Sequence, residues 1–310
     1  MRRLSSVLGY LGYVLAVLIF LLWWRFPGDE VAAWCCARLQ DRFPAYQWQI
    51  DTLQWKFPNR LEIKDIRAVA RKAADREPVL HIDDLDLSLD LLSLLRKYRR
   101  LTYALHLYDG VGTGRFHLAL DHSFSCQGSF TGLRLERMHG LVRAVQRAIK
   151  GEAGATFTWK GRWPALRTTD LSGQVRVENG FFPLRKPVLG LRSLSFSRLE
   201  ANVMYRQQGP EWQIDNGQLA AKTMHVVFTG KVVPGPDLGS SRIDFSGSLT
   251  PRAELFKGPG NRDMARIVRG FLRNGALPFT VSGTAAEPSV HFPDRLAAAL
   301  RRFQPRGGRQ

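Results

Sequence analysis

The stretch that decides the fold is residues 80–110, LHIDDLDLSLDLLSLLRKYRRLTYALHLYDG. Apolar and mostly acidic residues alternate in its first part, and apolar and polar residues alternate again in its last part, as in strands with one apolar face. The leucine-rich middle has the spacing of about two helical turns. The leucines change parity at Asp83 and Asp84, which predicts a β-bulge or tight break. The segment therefore predicts two strands joined by a helical crossover at the edge of a sheet.

The same period of two recurs along most of the chain. Turn residues between the runs, Asp109-Gly110, Asn179-Gly180, Gly209-Pro210 and Asn216-Gly217, are typical of an antiparallel meander. Few long helices are available to cover the apolar face of so many strands. We therefore predict a mainly β fold, a long curved antiparallel sheet over residues 45–304 that forms a groove or an open, barrel-like structure. The runs lie at residues 46–57, 60–70, 80–91, 101–108, 115–120, 155–159, 171–177, 194–205, 212–219, 222–232, 242–249 and 277–282.

A few short amphipathic helices interrupt this pattern. Residues 26–44 predict a membrane-proximal helix with its N-cap at Asp29 and with Val31, Trp34, Cys35 and Leu39 on one side. Further helices are predicted at residues 136–150, 261–273 and 295–303, before a disordered basic tail at 305–310. The first two of these carry an apolar stripe and an arginine-rich back, so they cover an end of the sheet or lie on a membrane.

The N-terminal segment predicts a membrane anchor. Residues 4–24 contain no charged side chain and are long enough to cross a bilayer. Arg2 and Arg3 precede them, so the positive-inside rule places the N-terminus in the cytoplasm and everything after Arg25 on the far side. Residues 1–25 are thus predicted to be a cytoplasmic N-terminus and one transmembrane helix of the cell inner membrane. A cleaved signal peptide is the alternative, but no Ala-x-Ala site follows the span.

Charge and location together limit the partners. The chain of 310 residues has a net charge of +18, and a body this basic attracts polyanions. If the body is periplasmic, phospholipid or lipopolysaccharide is its predicted polyanionic partner and nucleic acid is not. The cluster Arg96, Lys97, Arg99 and Arg100 is the predicted contact with anionic lipid.

Motifs of catalysis are weak. The acidic set Asp83, Asp84, Asp86 and Asp90 could supply paired carboxylates, but three of its members share parity and predict a solvated strand face. The nearest group to a metal cluster is His117, Asp121 and His122, whose parity divides it between two faces. The two adjacent cysteines and Cys126 lack zinc spacing and predict ordinary thiols or one incidental disulfide. We therefore expect no enzyme activity, cofactor or metal.

With these residues laid out, the chain resembles the family of type II secretion system protein N in its longer form, within the AsmA-like group of envelope proteins. The order of several motifs along most of the chain carries this resemblance. They are the end of the span at Trp24-Arg25-Phe26-Pro27, the segment 85–110, the strand DLSGQV at 170–175, and LPFTVSGT at 277–284 followed by Glu287-Pro288.

The resemblance implies a bitopic inner-membrane protein with a curved periplasmic sheet. In the AsmA-like group such sheets form a groove with an apolar lining that suits lipid chains. The secretion-system member is an accessory part of the machine that exports folded proteins across the outer membrane, so its partners are the inner membrane and other type II secretion components. A stand-alone AsmA-like protein of lipid handling or outer-envelope maintenance is the alternative, and an anchored hydrolase is a third hypothesis.

Overall fold

The computed structural model describes residues 24–71, 78–95, 98–162, 170–189, 191–206, 211–235, 238–257, 261–272 and 274–303, with positions 10, 13–14, 17–18 and 21. Strands dominate this part of the chain. They are β1 Tyr46–Lys56, β2 Arg60–Ala70, β3 Pro78–Leu89, β4 Tyr98–Leu107, β5 Gly110–Ala119, β6 Ser123–Arg134, β7 Lys150–Arg162, β8 Asp170–Val188, β9 Leu191–Arg206, β10 Glu211–Ala220, β11 Met224–Val233, β12 Arg242–Pro251, β13 Leu277–Thr284 and β14 Pro288–His291. The α-helices are α1 Gly28–Arg42, α2 His139–Val145, α3 Asn261–Phe271 and α4 Asp294–Phe303, and short 3-10 helices cover Leu91–Leu95, Leu135–Arg137 and Ala253–Phe256.

All fourteen strands belong to one sheet, in which they follow one another in chain order from β1 to β14. The pairings are antiparallel, and β1 and β14 are the two free edges, so the sheet is open. A mainly β, antiparallel meander is therefore confirmed. By the density of its contacts the chain divides into two compact units, Met1–Leu107 and Tyr108–Gln310, called unit 1 and unit 2 below.

In unit 1, α1 packs on the apolar face of β1 and β2. Its Ala32 is buried together with Leu53 of β1 and with Ile63 and Ile66 of β2. The helix begins one residue before the predicted cap, at Gly28, where an added Cβ atom would lie 2.2 Å from the carbonyl oxygen of Leu53. Only a residue without a side chain permits this close approach to the strand.

The predicted inner face of α1 needs a correction. Trp34 is 61% exposed on the outer side, where the guanidinium of Arg38 lies 5.9 Å from its ring centre. Val31 and Cys35, in contrast, are half-buried against the core of unit 1. The helix turns Ala32 toward the strands because the small side chain allows close packing, and this rotates Trp34 outward.

The predicted bulge at Asp83 and Asp84 is wrong, although the change of parity is real. Lys64 pairs with Asp84 and Ile66 with Ile82, so the register is unbroken there. Asp65 between them has a left-handed backbone with φ 53°, which aspartate tolerates better than most residues. The apolar residues of β1, β2 and β3 change parity at the same level of the sheet, so their pairing continues. The register shift between β2 and β3 falls instead between Ala68 and Val69 of β2.

The connection between β3 and β4 also differs from the prediction. The part of it that the structure describes contains one 3-10 helix of five residues, Leu91–Leu95, and the two strands that it connects are neighbours in the interior of the sheet rather than at its edge. Asn179 and Asn216 likewise mark no turns between strands, because both lie inside strands, β8 and β10, with positive φ. The predicted turn Gly209-Pro210 lies outside the described residues.

Unit 2 places its main core beneath two helices. Val268 of α3, Leu296 of α4 and Leu277 of β13 are completely buried in one cluster, which confirms that the helix predicted at 261–273 covers the sheet. The helix predicted at 136–150 is shorter, because Gln146 takes a left-handed conformation directly after α2. Strands β6 and β14 were missed, since glycine and serine weaken the alternation of the first and the second has four residues.

No helix among the described residues is both long and apolar enough to cross a bilayer. Most of the segment 4–24 falls outside these residues, as does the tail 305–310. The membrane anchor and the tail therefore stay predictions, and so do the domain bounds drawn from the sequence.

The close strand packing of unit 2 can be tested at one glycine. In β12, a Cβ atom on Gly247 would lie 2.2 Å from the carbonyl oxygen of Val227, which belongs to the paired backbone of β11. We expect Gly247→Ala to lower the free energy of unfolding by about 1–3 kcal/mol, because the backbones must separate. Denaturant unfolding measures this change.

The matched control is Gly270→Ala in α3, where nothing lies within 4 Å of an added Cβ atom. It should leave the free energy of unfolding unchanged or raise it by up to about 1 kcal/mol. Equal stabilities of the two variants would contradict the packing described for β11 and β12.

Candidate functional site

The strand register of unit 2 builds an apolar face that continues across most of its strands. One row of directly paired residues crosses eight strands, β5 to β12, and a second crosses β6 to β13. The first row is Phe116, Cys126, Trp159, Leu171, Tyr205, Trp212, Val232 and Ile243. The second row is Leu133, Ala153, Val177, Leu199, Leu219, Val226, Leu249 and Leu277.

The opposite face of the same strands is mainly polar. A row parallel to the first apolar row runs through Gln127, Thr158, Ser172, Met204, Gln213, Lys231, Asp244 and Ser282. Ion pairs cover this side, for example Arg176 and Arg198 with Glu200, each at 2.6 Å. The two faces thus differ in chemistry, and only the apolar one offers a surface for an apolar ligand.

Phenylalanine rings lie across the glycines of neighbouring strands on the apolar face. Each ring occupies the space that a Cβ atom of the glycine would take, and the ring in turn covers the glycine's backbone. The pairs are Gly180 with Phe196, Gly217 with Phe228, and Gly230 with Phe245. We call this part of the apolar face the floor, and on it the rings of Phe228 and Phe245 meet edge to face with their centres 5.8 Å apart.

A long β-hairpin lies over one part of this floor. Strands β8 and β9 have 19 and 16 residues, and most neighbouring strands have 10 to 13. Beyond Asn179, whose φ is 49°, residues 182–196 pair only within the hairpin. We call residues 182–196 the hairpin arm. Its tip residue Leu189 is buried in the same cluster as β11–β13, so the arm rests on the apolar face.

The arm and the floor enclose a pocket of about 280 Å³. This volume is near the lower end of the range of ligand sites, about 300–1,000 Å³. All fourteen lining residues are apolar. They are Leu184, Val188, Leu191 and Leu194 of the arm, Leu219, Met224, Val226, Phe228, Phe245, Leu249, Phe279 and Val281 of β10–β13, and Val290 and Phe292 at the C-terminal edge.

Arg147 links the hairpin arm to the turn before β14. The guanidinium of Arg147 donates hydrogen bonds of 3.4 Å to the carbonyl oxygen of Pro183 in the arm and to that of Ala286 in the turn before β14. It also lies 5.2 Å from the ring centre of Phe182. Since residues 147 and 286 are 139 positions apart, unit 2 brings its early and late strands together beside the pocket.

The sequence indicated an apolar face but none of the pocket residues as a site. Two signals in the chain could have pointed to them. The segment 178–193 between the runs at 171–177 and 194–205 is rich in apolar residues, and glycine alternates with phenylalanine on adjacent strands. Neither signal is specific without the register that aligns them.

The basic cluster is only partly described. Arg96 and Lys97 lie outside the described residues, whereas Arg99 is exposed and Arg100 is half-buried at the start of β4. The guanidinium of Arg100 lies 5.5 Å from the ring centre of Tyr98. Contact of this cluster with anionic lipid stays a prediction.

The acidic set forms a structural network. Asp84 and Asp86 share the outer face of unit 1 with Glu62, and the carboxylate oxygens of these three residues lie within 4.8 Å of one another. Three cations meet them: Lys56 lies 2.8 Å and Lys64 3.8 Å from Glu62, and Arg60 binds Asp86 through both nitrogens of its fork. Two lysines thus lie beside Glu62 and one arginine beside Asp86, whereas the charged partner of Asp84 is the Nδ1 atom of His106 at 3.8 Å. Asp90 instead accepts the N–H of Leu92 at 3.1 Å and starts the 3-10 helix.

The other candidate groups are local structure as well. Asp121 accepts hydrogen bonds from the backbone and hydroxyl of Ser123, at 3.0 and 2.7 Å, and these bonds lower the pKa of its carboxyl. His117 and His122 do not join Asp121 in a metal-type group among the described residues. No disulfide links Cys35, Cys36 or Cys126, and burial raises the pKa of the first two thiols.

No protein-family model, curated protein or solved structure matches this chain.

The ion pair of Arg60 and Asp86 predicts a response to acid. The hydrogen bond from Arg60 holds the pKa of the Asp86 carboxyl below its usual range. The pair therefore stabilises the fold above the pKa of an unfolded aspartate, about 3.9, and this contribution is lost as the pH falls through the lowered value. We expect Asp86→Asn to flatten the fall in stability between pH 5 and pH 2, about the range in which such carboxylates titrate.

Thermal unfolding of the detergent-solubilised chain across this range measures the effect. The control Asp215→Asn removes an exposed carboxylate from β10 and should flatten the curve less. An identical slope for wild type and Asp86→Asn would contradict the role given to the pair.

Proposed function

We propose that this chain binds the acyl chains of membrane lipid and acts as an AsmA-like lipid-handling protein of the cell envelope. The observation that carries this proposal is the pocket of unit 2, whose fourteen lining residues are all apolar. A polar ligand would lose its hydrogen bonds to water there and find no partner in the lining, which costs several kcal/mol. A hydrocarbon chain loses nothing and gains about 0.8 kcal/mol for each CH₂ that it buries.

The surroundings of the pocket support a chain-like ligand. Phe245 of the lining and Ile243, the last residue of the first apolar row, are two positions apart on the same face of β12, so a chain longer than the pocket has apolar surface to follow. Val290 on the short last strand is 36% exposed, which leaves one side of the pocket in contact with solvent. We propose that the face of unit 2 serves as the lipid groove.

The proposed setting is the inner membrane, with residues 1–25 as the anchor and the sheet in the periplasm. The absence of charges in residues 4–24 supports the anchor, and the net charge of +18 favours anionic phospholipid or lipopolysaccharide as the lipid. The lining of the pocket contains no nucleophile and no titratable group, and we propose that the protein works by binding rather than by catalysis.

A second proposal is that the chain serves as a component of a type II protein secretion system. The order of sequence motifs from Trp24-Arg25-Phe26-Pro27 to the strand at 277–284 supports it. The two proposals are compatible, because an accessory protein of an envelope-spanning machine can hold lipid. Deleting the gene and measuring the export of folded cargo tests the secretion role, and unimpaired export would overturn it.

Lipid binding is tested by filling the pocket. Val281 is half-buried in the lining, and Val281→Trp would place a large apolar side chain there without introducing charge. We expect the affinity for a dansyl-labelled C11 fatty acid to fall about tenfold, since two displaced CH₂ groups amount to about 1.6 kcal/mol. Fluorescence titration of the purified chain gives the affinity.

The control Thr280→Trp adds the same side chain to the exposed opposite face of β13 and should bind the probe as wild type does. Equal affinities for the two variants would place the probe elsewhere and overturn the pocket as the site. A purified chain that carries no lipid by mass spectrometry and binds no probe would overturn the lipid-binding function itself.

A further inference from the structure

Three features of unit 1 meet at one end of its strands. The first is the entry of the chain. Helix α1 runs antiparallel to β1, because the Phe26 ring lies 5.9 Å from Trp55 at the end of the strand and the Phe43 ring lies 6.1 Å from Trp48 near its start. The chain therefore enters unit 1 beside the last residues of β1, directly after the predicted membrane span.

The second and third features are two connections between strands. The turn between β1 and β2 follows the pair Lys56 and Arg60. It is tied to the end of β3, because the side-chain amide of Asn59 donates a 2.7 Å hydrogen bond to the carbonyl of Leu89 and the N–H of Leu89 returns one of 3.0 Å. The 3-10 helix Leu91–Leu95 follows at once. We call this end, with the turn and the 3-10 helix, the turn end of unit 1.

Large apolar side chains are exposed at the turn end. Trp24 is 74% exposed, Phe57 61%, Leu91 46% and Leu92 67%. Full burial of one such side chain would contribute about 1.5–3 kcal/mol to folding, and each of these exposed side chains gives up part of that contribution. Single exposed apolar residues are common, but three of them beside Trp24, the last residue of the predicted span, indicate a contact surface.

The exposed leucines are held in place by a buried serine. Ser93 is completely buried between them and β4, and its hydroxyl donates a 2.5 Å hydrogen bond to the carbonyl of Asp90. The same hydroxyl accepts the N–H of Arg100 at 2.9 Å, and the Asp90 carboxylate accepts the N–H of Leu92 at 3.1 Å. A turn pinned by three hydrogen bonds presents Leu91 and Leu92 outward.

The charges beside these leucines identify the partner. Arg99 is exposed and Arg100 half-buried at the start of β4, the strand that follows the 3-10 helix, and the guanidinium of Arg100 lies 5.5 Å from the ring centre of Tyr98. Leucine beside arginine and tyrosine is the composition of segments that bind at the headgroup level of a bilayer, where apolar tips reach the acyl chains and cations bind phosphate.

We infer that the turn end of unit 1 is a second membrane contact, which inserts Leu91 and Leu92 into the anionic phospholipid surface of the bilayer that holds the anchor. Arg99 and Arg100 bind the lipid phosphates. The contact would fix this end of unit 1 at the bilayer. This inference rests on the proposed anchoring in the inner membrane.

The test uses the full-length chain in nanodiscs of phosphatidylglycerol mixed with phosphatidylcholine. A single cysteine at Leu92→Cys, in a chain with Cys35, Cys36 and Cys126 replaced by serine, carries a bimane label. Doxyl groups on the acyl chains quench a label that enters the bilayer. The matched control is Leu120→Cys, because Leu120 is also 67% exposed but is followed by Asp121 and His122.

We expect quenching at position 92 to be at least about threefold greater than at position 120, as for a side chain at the depth of an interfacial helix. It should decrease in nanodiscs of phosphatidylcholine alone and in the Arg99→Glu variant, since the attraction to phosphate is lost. Equal quenching at both positions would overturn the inference.

A second measurement needs no substitution. Hydrogen exchange of residues 89–95 in the wild-type chain should be slower in anionic than in neutral nanodiscs, and equal rates would overturn the inference. Titration of the fatty-acid probe on the same samples reports the pocket of unit 2 separately. Loss of the membrane contact with intact probe binding therefore rejects this inference alone, whereas failure of probe binding rejects the proposed function.

Discussion

The structure depends on one constraint, which is that the sheet has more apolar face than its helices can cover. Two apolar rows each cross eight strands of unit 2. Burying this surface is the main source of free energy available to the fold, yet α3 and α4 reach only the region around Val268, Leu296 and Leu277. Most other residues of the face pack against side chains of neighbouring strands and stay half-buried, while a few, such as Cys126 and Leu133, are buried. The hairpin arm compensates in part, and the space that it leaves over the floor is the apolar pocket.

Positive-φ residues inside strands make this arrangement possible. In a strand that alternates strictly, all residues of one parity lie on one face. The apolar residues can change parity and still share a face only where the backbone has a local break. Asp65 provides it in β2 and Asn179 in β8, with φ of 53° and 49°. In unit 1 the paired strands change face together, which keeps the ladder intact. In β8 the change comes where the hairpin leaves its neighbours and lies over the apolar face.

The two units divide the proposed work between them. Unit 1 carries exposed apolar tips and cations at the end where the chain enters, and unit 2 carries the pocket. The acidic residues that alternate in β3 belong to neither function, because Asp86 pairs with Arg60 of β2 and Asp84 lies beside His106 of β4. A set of carboxylates that suggested chemistry in the sequence is thus explained by charge pairing between neighbouring strands.

The sequence by itself determined the class of fold, because period-two alternation and short connections leave few options other than an antiparallel meander. It also indicated α1, α3 and α4 through their helical spacing. Only the tertiary structure decided the site. The pocket joins Leu184 of the arm to Val281 of β13, which are far apart in the chain and are brought together by strand register and by the bend at Asn179. Local spacing carries the period of each strand but not the alignment between strands, and a site built across strands depends on that alignment.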